Sequence, residues 1–410
     1  MKTKQFFLKN GLPVICMINP TTSLSYACLC VNAGAKDDTP SHSGLAHAVE
    51  HFLFTGSAHH SKQDINDIPS RYGSFLDAST DLDTTSFGFR VLNEHFSSML
   101  HLLADVILYP TFPEVAIKSE IEVIKIEMTN DDENETIGYN LHSCFGVKKR
   151  KANVFGSLKS LSHFTPKIAY NFWNKYYTAK NSVLCIICNN EDCIALAEEC
   201  FGDMRPGEHI AFRPSPFSGR FYNAKKDNDN VEISLIFAEQ NVTTADEVLA
   251  NVLGGNYSSR IYQKLRNELS LAYLASADIN TYSCGSMFYI SATCFPRNLD
   301  KVVEVICNEI VSLRENLINS DELKCAKNVM KTALLLEAEN PDNLLFEVAE
   351  DYILGRFVPI DEKIRQIESV TRDDVLASAR RIFNHRPTYG VIGEAQNIPS
   401  YQEIMSMLWL

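Results

Sequence analysis

The sequence predicts an α+β fold with two domains of common build, each a largely antiparallel sheet packed against helices. Three observations carry that expectation. A chain of 410 residues is roughly two to three times the usual single-domain length. A stretch late in each half repeats: "TPKIAYNFWNKYYTAKNSVLCIIC" starts at Thr165 and "TRDDVLASARRIFNHRPTYGVIG" at Thr371, an ungapped offset of 371 − 165 = 206. An offset of about half the chain marks duplicated domains, since solenoid periods are far shorter. Finally, alternating strand-like runs mix with long helical patterns, without the strict βαβ alternation of a parallel sheet.

Taken in order, "MKTKQFFLKNGLPVICMINP" has three apolar residues before Lys9, then Asn10-Gly11, and reads as strand, tight turn, strand. It is too short for a secretory signal or a membrane span and lacks the arginines of an organellar presequence. "SLSYACLCVNAG" continues as a strand. Residues 45–54 read as a helix whose Leu45, Ala48, Val49, Phe52 and Leu53 form one buried stripe, with Gly56 closing it. "NEHFSSMLHLLADVIL" and "SEIEVIKIEM" are helical, and the run at 130–135, "NDDENE", is a turn without the glycine of a calcium loop. Each repeat copy starts with a threonine cap, runs through an amphipathic helix and ends in an apolar strand. Trp173 and its aromatic neighbours belong to the core face of the first copy. Residues 206–219 are Pro- and Gly-rich and separate a domain at 1–205 from one at 220–410. Beyond them, "SMFYISATCF" is a strand and "NLDKVVEVICNEIVSLREN" a helix.

Composition narrows the function. Apolar residues at 45% and charged residues at 22% are ordinary for a globular chain with large cores. A net charge of −13 argues against nucleic acid or an anionic membrane as partner. The short basic run 148–151 reads as a solvated loop. No stretch reaches the ~18 apolar residues of a membrane helix. Twelve cysteines, many in apolar runs, with no export signal, fit reduced thiols in the cytoplasm. Cys185 and Cys188 match C-x-x-C, yet "SVLCIIC" is a buried strand rather than a zinc knuckle.

The chemistry concentrates in "SGLAHAVEHFLFTGS". On the predicted helix His47, Glu50 and His51 share a face away from the apolar stripe, so two imidazoles lie one turn apart with a carboxylate beside them. Chance would place H-x-x-E-H in about 0.02 of chains of this length and composition. The plain alternative is two partly exposed histidines. A catalytic zinc wants a third protein ligand. Glu120 and Glu127, seven apart, share a face beside Ile121, Ile124 and Met128, and could be ligand and support or simply the acidic face of a surface helix. The pair His59-His60 reads as solvated.

As a set, His47-x-x-Glu50-His51, Glu120 and Glu127 in "VIKIEM", the opening "NGLPVI" and the approach "NAGAKDDTPSHSGLAHAVEH" resemble the inverted zinc motif of the pitrilysin/insulinase-like metallopeptidases. The likeness is to the two-domain branch that includes mitochondrial processing peptidase. The resemblance implies one Zn2+ per chain on His47, His51 and Glu127, with Glu120 supporting a ligand histidine and Glu50 as general base. It further implies that Arg266 and Tyr273 in "LRNELSLAY" grip substrate near the tetrahedral intermediate. On the residues alone, Arg266 would be a surface helix residue and Tyr273 a core tyrosine. An edge strand carrying Asp77, Ala78 and Ser79 would pair with an extended peptide. Here Asp77 stands where the family commonly has Asn. With no histidine between His209 and His385, the second half cannot rebuild the motif. The expected function is a zinc endopeptidase acting on unstructured peptides or leader segments. Two such domains form half of a clamshell chamber, which implies a homodimer, or a heterodimer with a related subunit. A catalytically silent scaffold subunit and a dedicated leader peptidase are the alternatives.

Overall fold

The computed structural model describes residues 2–128, 134–146, 153–212, 214–225, 229–239 and 241–409. The basic run 148–151 and residues 130–133 lie outside the described residues, and Asn134 already opens the helix Asn134–Phe145.

The chain forms two compact units. The first gathers Met1–Gly138, Lys149–Ala211 and Glu337–Phe357; the second gathers Tyr139–Lys148, Phe212–Leu336 and Val358–Leu410. In the first unit lie β1 (Lys2–Phe7), β2 (Pro13–Ile18), β3 (Leu24–Val31), β4 (Leu76–Thr80), β5 (Thr85–Leu92) and β6 (Ser182–Cys188), in the order β1-β2-β6-β3-β5-β4. Every pairing is antiparallel except β2 with β6. The β1–β2 hairpin turns at Asn10-Gly11, where Gly11 sits at φ 91°, a conformation L side chains avoid.

The second unit holds β7 (Phe221–Ala224), β8 (Val231–Glu239), β9 (Ala272–Tyr282), β10 (Gly285–Cys294) and β11 (Thr388–Ile392), in the order β7-β11-β8-β10-β9. Only β7 with β11 is parallel. Leaving out β1, the two sheets share one topology. The repeat is its visible trace. Thr165 caps the helix Pro166–Tyr176 that leads into β6, and Thr371 caps Arg372–Phe383 that leads into β11. The two strands begin 388 − 182 = 206 residues apart.

Four early helices matter for the site: α1 (Leu45–Leu53), α2 (Lys62–Arg71), α3 (Phe96–Leu108) and α4 (Glu114–Glu127). The predicted α1 stripe of Leu45, Ala48, Val49, Phe52 and Leu53 is buried in the first core with Leu29, Phe87 and Met99. β3 is buried over nearly its whole length because its sheet is covered on both faces. Ala27, Leu29 and Val31 meet the main core, and the helix Pro341–Ile353 packs over β3 and β6. That helix buries Leu344, Leu345, Val348, Ala349 and Ile353. The second core centres on Phe237, Phe288 and Phe383, with ring centroids 5.0 and 5.2 Å from Phe383. Trp173 lies in the first core and donates its indole N–H to the Ile107 carbonyl at 2.8 Å.

All twelve cysteines are free thiols, eleven of them buried, and β6 with Cys185 and Cys188 is buried throughout. No helix among the described residues is long and apolar enough to cross a membrane. Two small expectations need correcting. α1 ends at Leu53, capped by Phe54 rather than Gly56. His59 and His60 are more than a solvated pair: His59 is 65% exposed and His60 30%, yet both turn Nδ1 to the buried carboxylate of Asp105, which also accepts from Ser57.

Candidate functional site

α1 begins without a side-chain cap of its own, at Gly44 with φ 85°. Its first N–H groups are satisfied by Asp38 from the preceding loop. Gly44 and Leu45 donate to Oδ2 at 2.5 and 3.2 Å, and Ala46 to Oδ1 at 3.0 Å. Burial pushes the Asp38 carboxyl up to about 7, against the pull of these donors. Gly44 and Gly156 let the loop holding Phe155 close over this end of the helix. A Cβ on Gly44 would lie 2.4 Å from the Phe155 carbonyl oxygen. Phe155 then meets the His47 ring edge-on, centroids 5.0 Å apart.

One turn apart on α1, His47 and His51 bring their Nε2 atoms within 3.2 Å. α4 crosses beside them and supplies Glu127, whose Oε2 is 3.3 Å from Nε2 of His51 and 3.7 Å from that of His47. Among the described residues these three are the group of His, Cys, Asp and Glu side chains able to hold a metal ion. The fit can be tested on spacing. A tetrahedral ion with ligand bonds of about 2.0–2.2 Å sets its ligands about 3.3–3.6 Å apart, close to the three edges seen. The electrostatics agree. Burial, then the neighbouring His51, pushes His47 down to about 3, which leaves it a neutral lone-pair donor. With both Nε2 atoms unprotonated, two imidazole lone pairs and a carboxylate oxygen facing one another repel, and a cation relieves that cost. The set is compatible with zinc.

The two histidines are supported unequally. His51 Nδ1 lies 3.4 Å from Oε2 of Glu120, two turns before Glu127 on α4, while Glu120 Oε1 accepts from Lys62 at the start of α2. Burial lowers the His51 pKa, but the Glu120 hydrogen bond and the charges of Glu50, Glu127 and Glu120 outweigh it and raise it overall. The hydrogen bond to His51, with Lys62, holds Glu120 below the ordinary carboxylate range. This arrangement directs the His51 Nε2 lone pair toward His47 and Glu127. His47 Nδ1, by contrast, is buried with no hydrogen-bond partner among the described residues.

Glu50 sits between the histidines on α1 and is itself buried. Burial pushes its carboxyl up to about 7, against the Thr80 hydrogen bond and the His51 charge. A carboxylate raised to the neutral range can both take and return a proton.

The segment Asp77-Ala78-Ser79 lies on β4, the edge strand of its sheet, paired to β5 through Asp77↔Gly88, Ala78↔Phe87 and Ser79↔Ser86. Asp77 and Ser79 line a cavity of 460 Å³ against the helix Pro341–Ile353. Ala78 and Thr80 turn to the other face.

Arg266 and Tyr273 belong to the second unit, and the structure brings them together. Arg266 lies in a π-helical turn, Gln263–Glu268. Its guanidinium carbon stacks 4.8 Å from the Tyr273 ring centroid, and Nη1 donates to the Tyr273 carbonyl. Tyr273 stands on β9, an edge strand, and is 69% exposed, so it is no core residue.

Three residues escape a reading by spacing alone. Asp38 lies seven positions before the helix it caps, beyond the usual capping distance. Lys62 reaches Glu120 only through tertiary packing. Thr80 shares the face of Ala78 on a strand already singled out, and that alternation was the available signal.

Comparison with known proteins accords with this arrangement. A family model described as Insulinase (Peptidase family M16) matches residues 14–153, and one described as Peptidase M16 inactive domain matches 163–330. The first span contains His47, Glu50, His51, Glu120 and Glu127. A Rickettsia felis protein named uncharacterized zinc protease is 27% identical over 94% of this chain and 96% of its own length. YmxG of Bacillus subtilis, named likewise, is 26% identical over 97% and 100%. Among solved structures, a protease from Helicobacter pylori superposes with a TM-score of 0.83 at 19% identity, covering 96% of this chain and 99% of that one. A peptidase M16 inactive domain from Pseudomonas fluorescens reaches 0.85 at 17%, covering 98% and 100%. With the zinc motif and its third carboxylate assembled in the first unit and both family matches in place, the chain belongs to the pitrilysin/insulinase-like metallopeptidases, peptidase family M16.

Proposed function

We propose that this protein is a zinc-dependent endopeptidase for extended, unstructured peptides. The observation that carries the reading is the convergence of His47, His51 and Glu127 beside Glu50, a buried carboxylate on the same helix. His47, His51 and Glu127 are the residues that would hold zinc. Bound there, zinc supplies Lewis acidity toward a scissile carbonyl and acidifies water. Glu50 takes the proton from the attacking water and returns it to the leaving amine, a role its raised pKa suits. Glu120 orients His51 and, in the neutral ring, favours the tautomer whose Nε2 carries no proton. Among the described residues β4 offers an unpaired edge to which a peptide adds as a further strand, so recognition is largely main-chain and sequence-tolerant. Arg266 and Tyr273 are assigned to gripping the substrate, a guanidinium and a phenol being fitting donors to a developing oxyanion.

The four-domain chamber implied by the family likeness calls for a second chain, and a homodimer is the simplest source. A related partner subunit is the other. A silent scaffold is the competing reading, since two matched descriptions are of an inactive domain. The family model so described covers 163–330 and excludes the zinc set, and the Pseudomonas fluorescens structure, at 17% identity, speaks for the fold alone. The intact set of His47, His51, Glu127 and Glu50 favours an active chain.

The test is cleavage of a quenched, unstructured basic peptide by the purified chain, with chelator and Glu50→Gln as controls. Cutting that chelator abolishes, with a zinc-loaded but inactive Gln variant, supports the reading. A zinc-loaded wild type that cuts nothing, alone or with any co-purifying chain, sinks it. Profiling products from leader peptides against random oligopeptides separates dedicated maturation from general degradation.

A further inference from the structure

The carboxylate of Glu50 is anchored at one oxygen only. Thr80, the last residue of β4, donates its hydroxyl to Glu50 Oε2, and among the described residues this is the one hydrogen bond Glu50 receives. Oε1 takes none, and it is absent from the few buried, unpartnered side-chain atoms.

Thr80 is itself held firmly. It faces Thr85 in the β4–β5 register, and the turn between them closes with Asp81 N–H donating to the Thr84 carbonyl at 2.9 Å. Two further bonds tie that turn to the loop before α1: Ala35 N–H to the Asp81 carbonyl at 3.0 Å and Lys36 N–H to the Leu82 carbonyl at 2.9 Å. Thr85 donates its hydroxyl to the Ala33 carbonyl at 2.8 Å. A β-branched side chain on so constrained a backbone has little χ1 freedom. A flexible serine would supply the same donor with more rotamers, and a valine the same shape with no donor.

We propose that Thr80 is a positioning residue for the proton-transfer step: its hydroxyl pins Oε2 of Glu50 so that Oε1 carries the proton. The proposal rests on the reading of Glu50 as general base. It adds a geometric link, because Thr80 stands two residues from Ala78 on the same face of the strand proposed to pair with substrate. A peptide registered on β4 is thereby registered on the base.

The test compares Thr80→Val, Thr80→Ser and Glu50→Gln in the full chain. Thr80→Val should lower kcat at least ~10-fold, since a misaligned base forfeits part of the 10²–10⁴-fold that general catalysis contributes. KM should stay within about twofold and zinc content should not change, while Thr80→Ser should recover most of kcat. Wild-type kcat in the Val variant, a loss confined to KM, or a Ser variant as impaired as Val would each overturn the proposal. A fully active Glu50→Gln would instead remove the base assignment itself. Crystal structures of the three Thr80 forms give a readout that needs no turnover. Glu50 should hold one conformer with Thr or Ser and leave it with Val. A Val structure with Glu50 unmoved overturns the proposal even if the isolated chain cuts nothing.

Discussion

Substituting Glu120 by Gln keeps the volume of the side chain and removes its charge, which isolates what the carboxylate does for the metal site. Two contacts are at stake. The ion pair with Lys62 involves an ammonium whose side chain is 51% exposed, and half-exposed pairs contribute only ~0–1 kcal/mol. The contact with His51 Nδ1 is different, with both side chains largely buried, at 17% and 11% exposure. It fixes the ring orientation and the tautomer that leaves Nε2 unprotonated. Losing such a partner weakens metal affinity ~10–100-fold, or about 1.4–2.7 kcal/mol. Gln can still offer an oxygen to His51, but its amide then faces the Lys62 ammonium, so the loss should not vanish. Competition against a chromophoric chelator at constant pH measures the zinc affinity. Thermal melts of the metal-free forms check that the fold is unchanged. Lys62→Met serves as control and should shift affinity no more than about fivefold. An unchanged affinity in Glu120→Gln, or an equal loss in Lys62→Met, would refute the argument that the His51 contact dominates.

Other expectations follow from the same geometry. Gly156 sits at φ 77°, and a Cβ there would lie 2.1 Å from the Ser43 carbonyl oxygen. Gly156→Ala should therefore destabilise the first unit by at least ~1–3 kcal/mol and lower zinc affinity through the displaced start of α1, as read by urea melts and metal titration. Phe237 is fully buried, and Phe237→Ala should cost about 3–5 kcal/mol in chemical denaturation. A cost below ~1 kcal/mol would mean the second core tolerates the cavity. Burial alone would raise the Asp105 carboxyl, but hydrogen bonds from His60, Ser57 and His59 hold it below its ordinary value. A depressed folded-state pKa stabilises above the unfolded value of about 3.9 and is lost as pH falls through the folded one. The stability gap between wild type and Asp105→Asn should thus be full at pH 6 and narrow toward pH 3. A gap independent of pH across that range would contradict the assignment.

Periodicity and repetition determined much of this protein before any coordinates. The 206-residue offset captures a shared strand–helix topology because a threonine cap, an amphipathic helix and an apolar strand are local features that each write their own pattern. The α1 stripe, and the face that carries His47, Glu50 and His51, follow from the 3.6-residue turn alone. Three things required the tertiary structure. Helix Pro341–Ile353 covers the sheet of the first unit, although it lies more than 150 residues beyond β6 in the chain, and no local pattern encodes so distant a pairing. The support of α1 by Asp38, and of His51 by Glu120 and Lys62, likewise joins residues that share no periodic spacing. The tie of Glu50 to Thr80 exists because α1 and the end of β4 pack together. Local sequence sets which face a side chain occupies; packing between distant segments sets what that side chain meets.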